Sequence, residues 1–212
     1  MPCPHNGTHT MESDPTTRHR RSLRLQGYDY GRAGGCFVTI CAHERACLFG
    51  AVVGREVRLN AFGDIVRACW EEIPAHFPNV EMDSFVIMPN HLHGIVRLVT
   101  AAGARHTVPL PGERFGRPVA GSIPTIIRSF KAAVTKRINR HRRTPGASVW
   151  QRNYFEHIIR DDVSLDRIRE YVANNPRQWA MDRENPARVL ARPGRSDAGA
   201  GGCPVSDESW AV

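Results

Sequence analysis

The chain has 212 residues, of which 41% are hydrophobic, and a formal net charge of +8 at pH 7. This length suffices for one domain with a hydrophobic core, and the composition excludes a wholly disordered chain. All apolar runs fall short of the roughly 20 residues that span a bilayer, and residues 1–21 lack an apolar signal core. We therefore expect a cytoplasmic protein with no membrane partner. The positive charge favours a polyanionic partner, most commonly nucleic acid, although basic proteins with other partners exist.

The cysteines give no sign of a zinc site. They are Cys3, Cys36, Cys41, Cys47, Cys69 and Cys203. No two of them form a CxxC pair, so their spacing does not support metal binding. In a chain without an export signal, we expect them to be reduced and mostly buried.

The first part of the chain predicts a mobile arm, a strand, a hairpin and a helix. Residues 1–20 lack periodicity and are expected to form the arm. Residues 36–41 are a β-rich run after two glycines, and residues 47–59 suggest a hairpin. Asn60 is a good N-cap, and apolar residues at helical spacing up to Ile73 predict the helix.

Strands and helices continue through the second part. The predicted elements are a β-hairpin over 80–99 with its turn at Pro89-Asn90, a long loop over 100–121, a helix over 123–140, a strand over 154–159 and a helix that ends at Pro176. Asp161, Asp162 or Ser164 can cap the last helix. We predict one domain over residues 21–182 and a disordered Gly-rich tail over 183–212. The order of elements predicts an α+β fold in which helices pack on a sheet.

His91-Leu92-His93 is the sharpest feature of the sequence. Side chains two apart on a strand point to the same side, about 6.6 Å apart along the chain, so both imidazoles can converge on one metal ion while Leu92 faces the core. The position after a tight turn favours access from solvent. Imidazole binds several divalent metals, and an oxygen ligand shifts the preference towards Mg²⁺ or Mn²⁺. The alternative is two ordinary polar residues on an exposed strand face.

Tyr171 and Asn175 lie four residues apart on the last predicted helix and share one of its faces. If that face meets the strand of His91 and His93, a phenol, an amide oxygen and two imidazoles come together. Tyr171 can equally be a tyrosine at the edge of the core, and Asn175 can be a C-terminal cap before Pro176.

The helix predicted over 123–140 has a basic face. Its cationic residues are Arg128, Lys131, Lys136, Arg137 and Arg140. Such a face is either an ordinary solvated surface or a stripe that binds phosphates. The residues alone support both readings equally, and a nucleic-acid partner, which the net charge favours, would make these five residues its phosphate contacts.

Several segments resemble the REP-associated tyrosine transposases, within the wider single-tyrosine HUH transposases. The matching segments include Phe85-Val86-Ile87-Met88-Pro89-Asn90-His91-Leu92-His93-Gly94, Trp150-Gln151-Arg152-Asn153-Tyr154-Phe155-Glu156-His157 and Tyr171-Val172-Ala173-Asn174-Asn175-Pro176. The resemblance covers roughly residues 21–180. A Met-Pro-Asn-His-x-His-Gly segment followed by Tyr-x-x-x-Asn on a helix is highly specific as a set.

The resemblance implies a ferredoxin-like HUH endonuclease fold with helices packed on a central antiparallel sheet. It implies that Tyr171 is the nucleophile, that His91 and His93 bind a divalent metal ion, Mg²⁺ or Mn²⁺, and that Asn175 completes the metal site. Three more residues are expected near these ligands: Tyr154, Glu156 and His157.

The implied function is that of a transposase-like enzyme, a metal-dependent endonuclease and strand transferase for single-stranded DNA. It would form a 5′-phosphotyrosine intermediate, on DNA that often folds as a hairpin. Two alternatives stay open. One is a DNA-binding protein that has lost cleavage, and the other is a small hydrolase that uses the His-x-His pair without Tyr171. The sequence also leaves open whether the protein is a monomer or a homodimer.

Overall fold

The computed structural model describes residues 32–99 and 119–190. The predicted arm over 1–20, most of the predicted loop over 100–121 and the chain beyond residue 190 lie outside the described residues, as do Cys3 and Cys203. Within the two described ranges, no helix is long and apolar enough to cross a membrane.

Six strands lie in the described part of the chain and form two sheets. They are β1 (Gly34–Cys41), β2 (Gly50–Val53), β3 (Glu56–Leu59), β4 (Val80–Ile87), β5 (His91–Leu98) and β6 (Phe155–Ile159). The larger sheet has the order β4-β5-β1-β6, and β2 and β3 form a separate hairpin. All pairings are antiparallel, and β5 lies beside β1 with His91 opposite Cys41.

The helices of the described residues are α1 (Ala61–Glu71), α2 (Ile73–His76), α3 (Ile123–Arg142), α4 (Asp162–Asn174) and α5 (Pro186–Leu190), with 3₁₀ segments at His43–Arg45 and Asn175–Met181. Three of them, α1, α3 and α4, begin and end close to the predicted positions, whereas the short α2 and α5 were not predicted. The Asn60 side chain caps α1 by accepting hydrogen bonds from the backbone N–H groups of Phe62 and Gly63. The Asp161 side chain caps α4 by accepting from Ser164 N. Both caps are residues expected from the sequence.

Alternation along the central strands gives the large sheet two covered faces. Cys36, Val38 and Ile40 of β1 point into the main core, which also contains the apolar residues of α1 and α3. Phe37 points to the opposite face and packs with apolar residues of β5 and α4. The predicted α+β fold, with helices packed on a central antiparallel sheet, is confirmed.

Residues 183–190 differ from the prediction of a disordered tail from residue 183. This segment includes α5, and Glu184 ties it to the domain. The Glu184 carboxylate lies 3.1 Å from Arg45 Nε, and its backbone carbonyl accepts a hydrogen bond of 2.6 Å from Asn90 Nδ2. Composition did not reveal these contacts because their partners lie far away in the sequence.

Gly94, directly after His93, is a point of close approach between β5 and α1. A Cβ atom placed there would lie 2.3 Å from Cζ2 of Trp70, a ring that is fully buried. Only a glycine therefore allows α1 to pack at this distance from the strand that carries the two histidines.

We predict that Gly94→Ala destabilises the protein, because the new methyl group overlaps the buried Trp70 ring. Overpacking of this kind costs about 1–3 kcal/mol of unfolding free energy, which chemical denaturation would measure. Gly35→Ala is the control on β1, since its Cβ would lie 3.3 Å from the nearest atom of Ile159. Equal losses in the two variants would contradict the close-packing argument.

Candidate active site

Strand β5 brings His91 and His93 together. Their ring centroids are 4.4 Å apart, on the sheet face opposite the main core, whereas Leu92 points into that core. The expected solvent access is not observed at the imidazoles, because His91 is 0% and His93 3% exposed. The rings of Trp179 and Tyr171 lie against them, with centroids 6.1 Å from His91 and 5.2 Å from His93, respectively.

Hydrogen bonds fix the orientation of both imidazoles. Asn90 Nδ2 donates to the backbone carbonyls of Arg45 and Glu184, so Asn90 Oδ1 is the atom that lies 2.9 Å from His91 Nδ1. Because a carboxamide oxygen only accepts, His91 carries its proton on Nδ1 and directs the Nε2 lone pair elsewhere. A partner on the far nitrogen is typical of histidines that bind metals.

His93 is held in a similar way. Thr39 Oγ1 on the neighbouring strand lies 2.7 Å from His93 Nδ1, so Nε2 of this ring is also the nitrogen left for the site.

Asp182 lies beside the two histidines and is a candidate ligand that the sequence did not reveal. One side-chain atom from each of His91, His93 and Asp182 lies within 4.8 Å of the other two. Asp182 Oδ2 is 3.7 Å from His91 Nε2, and the Asp182 side chain is only 6% exposed. An acidic residue seven positions after Asn175 was the available signal, but only the 3₁₀ segment Asn175–Met181 brings it to the histidines.

Three buried polar atoms at this site have no hydrogen-bond partner among the described residues. They are His91 Nε2, Asn175 Oδ1 and Asp182 Oδ2. Such orphaned atoms cost free energy unless something satisfies them. Two imidazoles, a carboxylate and a carboxamide oxygen together form a donor set that suits a divalent cation. The residues present therefore fit a metal ion.

Burial sets the protonation of the histidines. Desolvation lowers the pKa of His91, and the Asp182 carboxylate opposes this effect in part. Desolvation also lowers the pKa of His93, and the neighbouring His91 lowers it further. Both imidazoles are therefore neutral at pH 7, which is the form that binds metals.

Tyr171 extends from α4 to this cluster. Its hydroxyl lies 3.3 Å from His93 Nε2, and its ring packs edge-on against Phe37 with centroids 6.0 Å apart. The residue is 41% exposed, so one side of it is open to solvent. Burial of the hydroxyl, followed by the carboxylates of Asp182 and Glu184, raises the pKa of Tyr171. The phenol therefore keeps its proton at neutral pH.

Asn175 is both the end of α4 and a neighbour of the candidate site. It is the C-terminal cap of α4, since its backbone N–H bonds to the carbonyl of Val172, and its side chain is buried beside His91 and Tyr171.

The structure does not place Tyr154, Glu156 or His157 beside the two histidines, where the sequence led us to expect them. The β6 register puts Glu156 opposite Val38, on the main-core side of the sheet, and Tyr154 also packs against the main core. His157 lies opposite Phe37, and so on the same face as the histidines but two strands away from β5. Period-two alternation separates these neighbours in sequence onto opposite faces.

The basic face of α3 divides into engaged and free residues. Arg137 forms a two-bond ion pair with Glu72 on the protein itself. Lys131 Nζ donates to the backbone carbonyls of Gln151 and Arg152. The remaining cations are exposed: Arg128, Lys136 and Arg140.

Comparison with known proteins identifies relatives of this chain. An uncharacterized protein of Haemophilus influenzae is 44% identical over 176 residues, which are 82% of this chain and 97% of that protein. A second protein of that organism, named as a REP-associated tyrosine transposase, is 22% identical over 148 residues, which are 70% of this chain and 73% of that protein. No protein-family model matches. The chain belongs to the family of the first protein.

The fold is identified by a solved structure, a REP-associated tyrosine transposase bound to a REP hairpin. It superposes with a TM-score of 0.51 at 19% identity and covers 86% of this chain and 99% of that one. The chain has the fold of the REP-associated tyrosine transposases. The resemblance stated from the sequence motifs is thereby confirmed.

An ion pair holds α4 of this transposase-like fold on the sheet. Arg169, two residues before Tyr171, donates from Nε and Nη2 to the two carboxylate oxygens of Asp83 on β4, at 3.0 and 2.7 Å. The Arg169 hydrogen bonds lower the pKa of Asp83 from 3.8 to about 2. This bidentate contact fixes the helix at the turn that carries the candidate nucleophile.

We predict that Asp83→Asn lowers the Tm at pH 7, because it removes the ion pair with Arg169. The decrease should be only about 2–4 °C, since solvent screens the exposed Arg169 side of the pair. Since the pKa of Asp83 is depressed on folding, the carboxylate stabilises the protein above about pH 4, and this contribution disappears as the pH falls through about 2. Asp166→Asn is the control, because Asp166 binds the same arginine but lies within α4 itself. Thermal denaturation across this pH range tests it, and a Tm difference that persists below pH 2 would contradict the assignment.

We predict that His91→Ala and Asp182→Asn each weaken Mn²⁺ binding by at least the roughly 10–100-fold that loss of a supporting partner costs a metal site. Titration calorimetry of Mn²⁺ into each purified variant is the measurement. Asp64→Asn is the control, since Asp64 lies on α1 across the sheet and is already paired with Arg67. Wild-type Mn²⁺ affinity in His91→Ala would remove the histidines from the metal site.

Proposed function

We propose that this protein is a metal-dependent endonuclease and strand transferase for single-stranded DNA, a transposase-like enzyme with Tyr171 as its nucleophile. The observation that carries the proposal is the position of the Tyr171 hydroxyl, 3.3 Å from His93 Nε2, beside a cluster of His91, His93 and Asp182 that fits a divalent cation. A half-exposed phenol next to buried metal-binding groups is the arrangement that attack on a phosphodiester requires.

The proposed step exchanges one phosphodiester bond for another. The Tyr171 oxygen bonds to phosphorus, the bond from phosphorus to the 3′ oxygen breaks, and a 5′-phosphotyrosine and a free 3′ hydroxyl result. The proton that the phenol loses is balanced by the proton that the 3′ oxygen gains. Because the bond energy is kept, the reverse step can join another 3′ end without ATP.

The residues of the site would have separate tasks in this step. A bound divalent cation, Mg²⁺ or Mn²⁺, would offset negative charge on the phosphate in the transition state. His91 and His93 would hold it, with Asp182 and Asn175 supplying oxygen atoms. Phe37 and His93 pack against the phenol ring and orient it.

Hairpin-forming DNA is the substrate class that we propose. The solved structure with the same fold is described as bound to a REP hairpin. The net charge of +8 and the exposed cations of α3 suit a nucleic acid. We further propose that the catalytic domain, predicted over residues 21–182, continues past residue 182, because Glu184 binds Asn90 and Arg45.

Two alternatives predict different behaviour. A DNA-binding protein without cleavage would bind the same DNA and form no adduct. A hydrolase that uses the His-x-His pair alone would cleave without Tyr171. No observation on the described residues favours either alternative over the proposal.

We predict that Tyr171→Phe abolishes the covalent DNA adduct and leaves DNA affinity within about twofold, because only the nucleophilic oxygen is lost. Tyr154→Phe is the matched control, since Tyr154 packs against the main core on the opposite face of the sheet. It should retain the adduct. Labelled single-stranded hairpin DNA with Mn²⁺, a denaturing gel and mass spectrometry of the adduct measure this outcome.

Four results would count against the proposal. A nucleotide attached to Tyr154 would move the nucleophile. Cleavage that persists in Tyr171→Phe would favour the hydrolase, and DNA binding with no adduct in the wild type would favour the protein that only binds. Cleavage in EDTA would remove the role of the metal.

A further inference from the structure

A groove of about 960 Å³ lies between the C-terminal half of α3 and the segment 145–152 that follows it. Five cationic residues line it: Lys131, Lys136, Arg140, Arg143 and Arg152. The described residues that line the groove include no Asp or Glu. A concave surface with charge of one sign focuses its field on an anion.

The cations of the groove are not neutralised by the protein. Elsewhere on the described surface, some arginines are paired with acids, as Arg137 is with Glu72 and Arg97 with Glu81. The groove cations form no ion pair with any described residue; they are Lys136, Arg140, Arg143 and Arg152. An ordinary solvated helix face would mix the two signs, so this patch points to an external anion.

Lys131 differs from the other groove cations because its ammonium group is bound to the backbone of the groove wall. Its ammonium group donates to the carbonyls of Gln151, at 2.6 Å, and Arg152, at 3.1 Å, and burial lowers its pKa to about 8. Lys131 thereby fixes the wall formed by the segment 145–152. It is the one cation in the groove that we do not expect to contact a phosphate.

The same wall connects the groove to the candidate active site. Gln151 N donates to the carbonyl of Cys41 at 2.9 Å, and Cys41 lies opposite His91 in the β1–β5 pairing. One end of the groove is therefore next to the strand end from which His91 emerges. The groove lies on the main-core side of the sheet and the histidines on the other face, so a polymer would pass round the end of β1 to reach His91, His93 and Tyr171.

We propose that this groove binds the backbone of the single DNA strand that leads to the scissile phosphate. The inference rests on the proposed function and assigns a path to its substrate. Exposed apolar lining residues such as Ala132 and Pro145 can contact bases, while Lys136 and Arg140 bind phosphates. A single strand can turn both groups towards a concave surface, whereas a duplex keeps the faces of its bases stacked inside.

The test removes two groove charges and compares them with two charges elsewhere. Lys136→Ala/Arg140→Ala changes exposed residues on α3, where alanine favours the helix. Arg55→Ala/Arg58→Ala removes the same charge from exposed positions on and beside the β2–β3 hairpin, outside the groove. Fluorescence anisotropy in EDTA measures the affinity for an unstructured single-stranded oligonucleotide of about 12 nucleotides, a length within the usual site size.

We predict that the groove variant binds this oligonucleotide about 25-fold more weakly at about 0.1 M salt, because two phosphate contacts release counterions with a slope of about −0.7 each. The slope of log affinity against log salt should fall in magnitude by about 1.4. The hairpin variant should stay within about threefold of the wild type. Lys136→Gln/Arg140→Gln should repeat the loss, and unchanged Tm values in both groove variants exclude misfolding.

Other outcomes would overturn the groove assignment. Equal losses in the groove and hairpin variants would indicate a general charge effect. Equal weakening for a duplex of the same length would reject the single strand as occupant, and a wild type that binds no single strand would reject the site altogether. The proposed function fails separately, through the Tyr171 adduct: an adduct without groove dependence overturns only the groove, and groove-dependent binding without an adduct overturns only the nuclease.

Discussion

The small apolar core between β5, β1 and α4 is the contact on which the candidate site depends. Phe37, Ile95, Ile168 and Val172 bury one another on the sheet face opposite the main core. This contact sets the distance of α4 from the sheet, and therefore the 3.3 Å between Tyr171 and His93. The Arg169–Asp83 ion pair fixes the rotation of the same helix. Apolar packing thus supplies the energy, and the ion pair supplies the orientation.

Closing that face has an electrostatic consequence. The imidazoles, the carboxylate and the carboxamide leave water together, and three of their atoms have no partner among the described residues. Burial keeps the histidines neutral and the Tyr171 phenol protonated. The unpaired atoms of this site reduce the stability of the fold, and a divalent cation would bind them. The candidate chemistry and the local instability therefore have one origin, the exclusion of water from a polar cluster.

The positive charges of the surface fall into two groups, those paired with acids and those that are not. Several surface arginines bind acids within the described structure, and some of these pairs connect elements, as Arg137 connects α3 to Glu72, the residue after α1. The cations around the groove have no such acids. Part of the positive charge that forms no ion pair therefore collects in one groove, whose wall bonds to β1 at Cys41. Charge that stabilises the fold and charge available to a ligand occupy different places.

The sequence by itself determined the elements and the local geometry, because these depend on near neighbours. The caps Asn60 and Asp161, the shared face of Tyr171 and Asn175, and the shared side of His91 and His93 all follow from periods of 3.6 or 2 and from side chains that reach only a few residues. Only the tertiary structure decided which of these faces meet. A 3₁₀ segment places Asp182 beside the histidines, and Tyr154 and Glu156 lie on the opposite side of the sheet. Lys131 donates hydrogen bonds to backbone carbonyls. These outcomes depend on contacts between residues distant in the chain, and no local pattern encodes them.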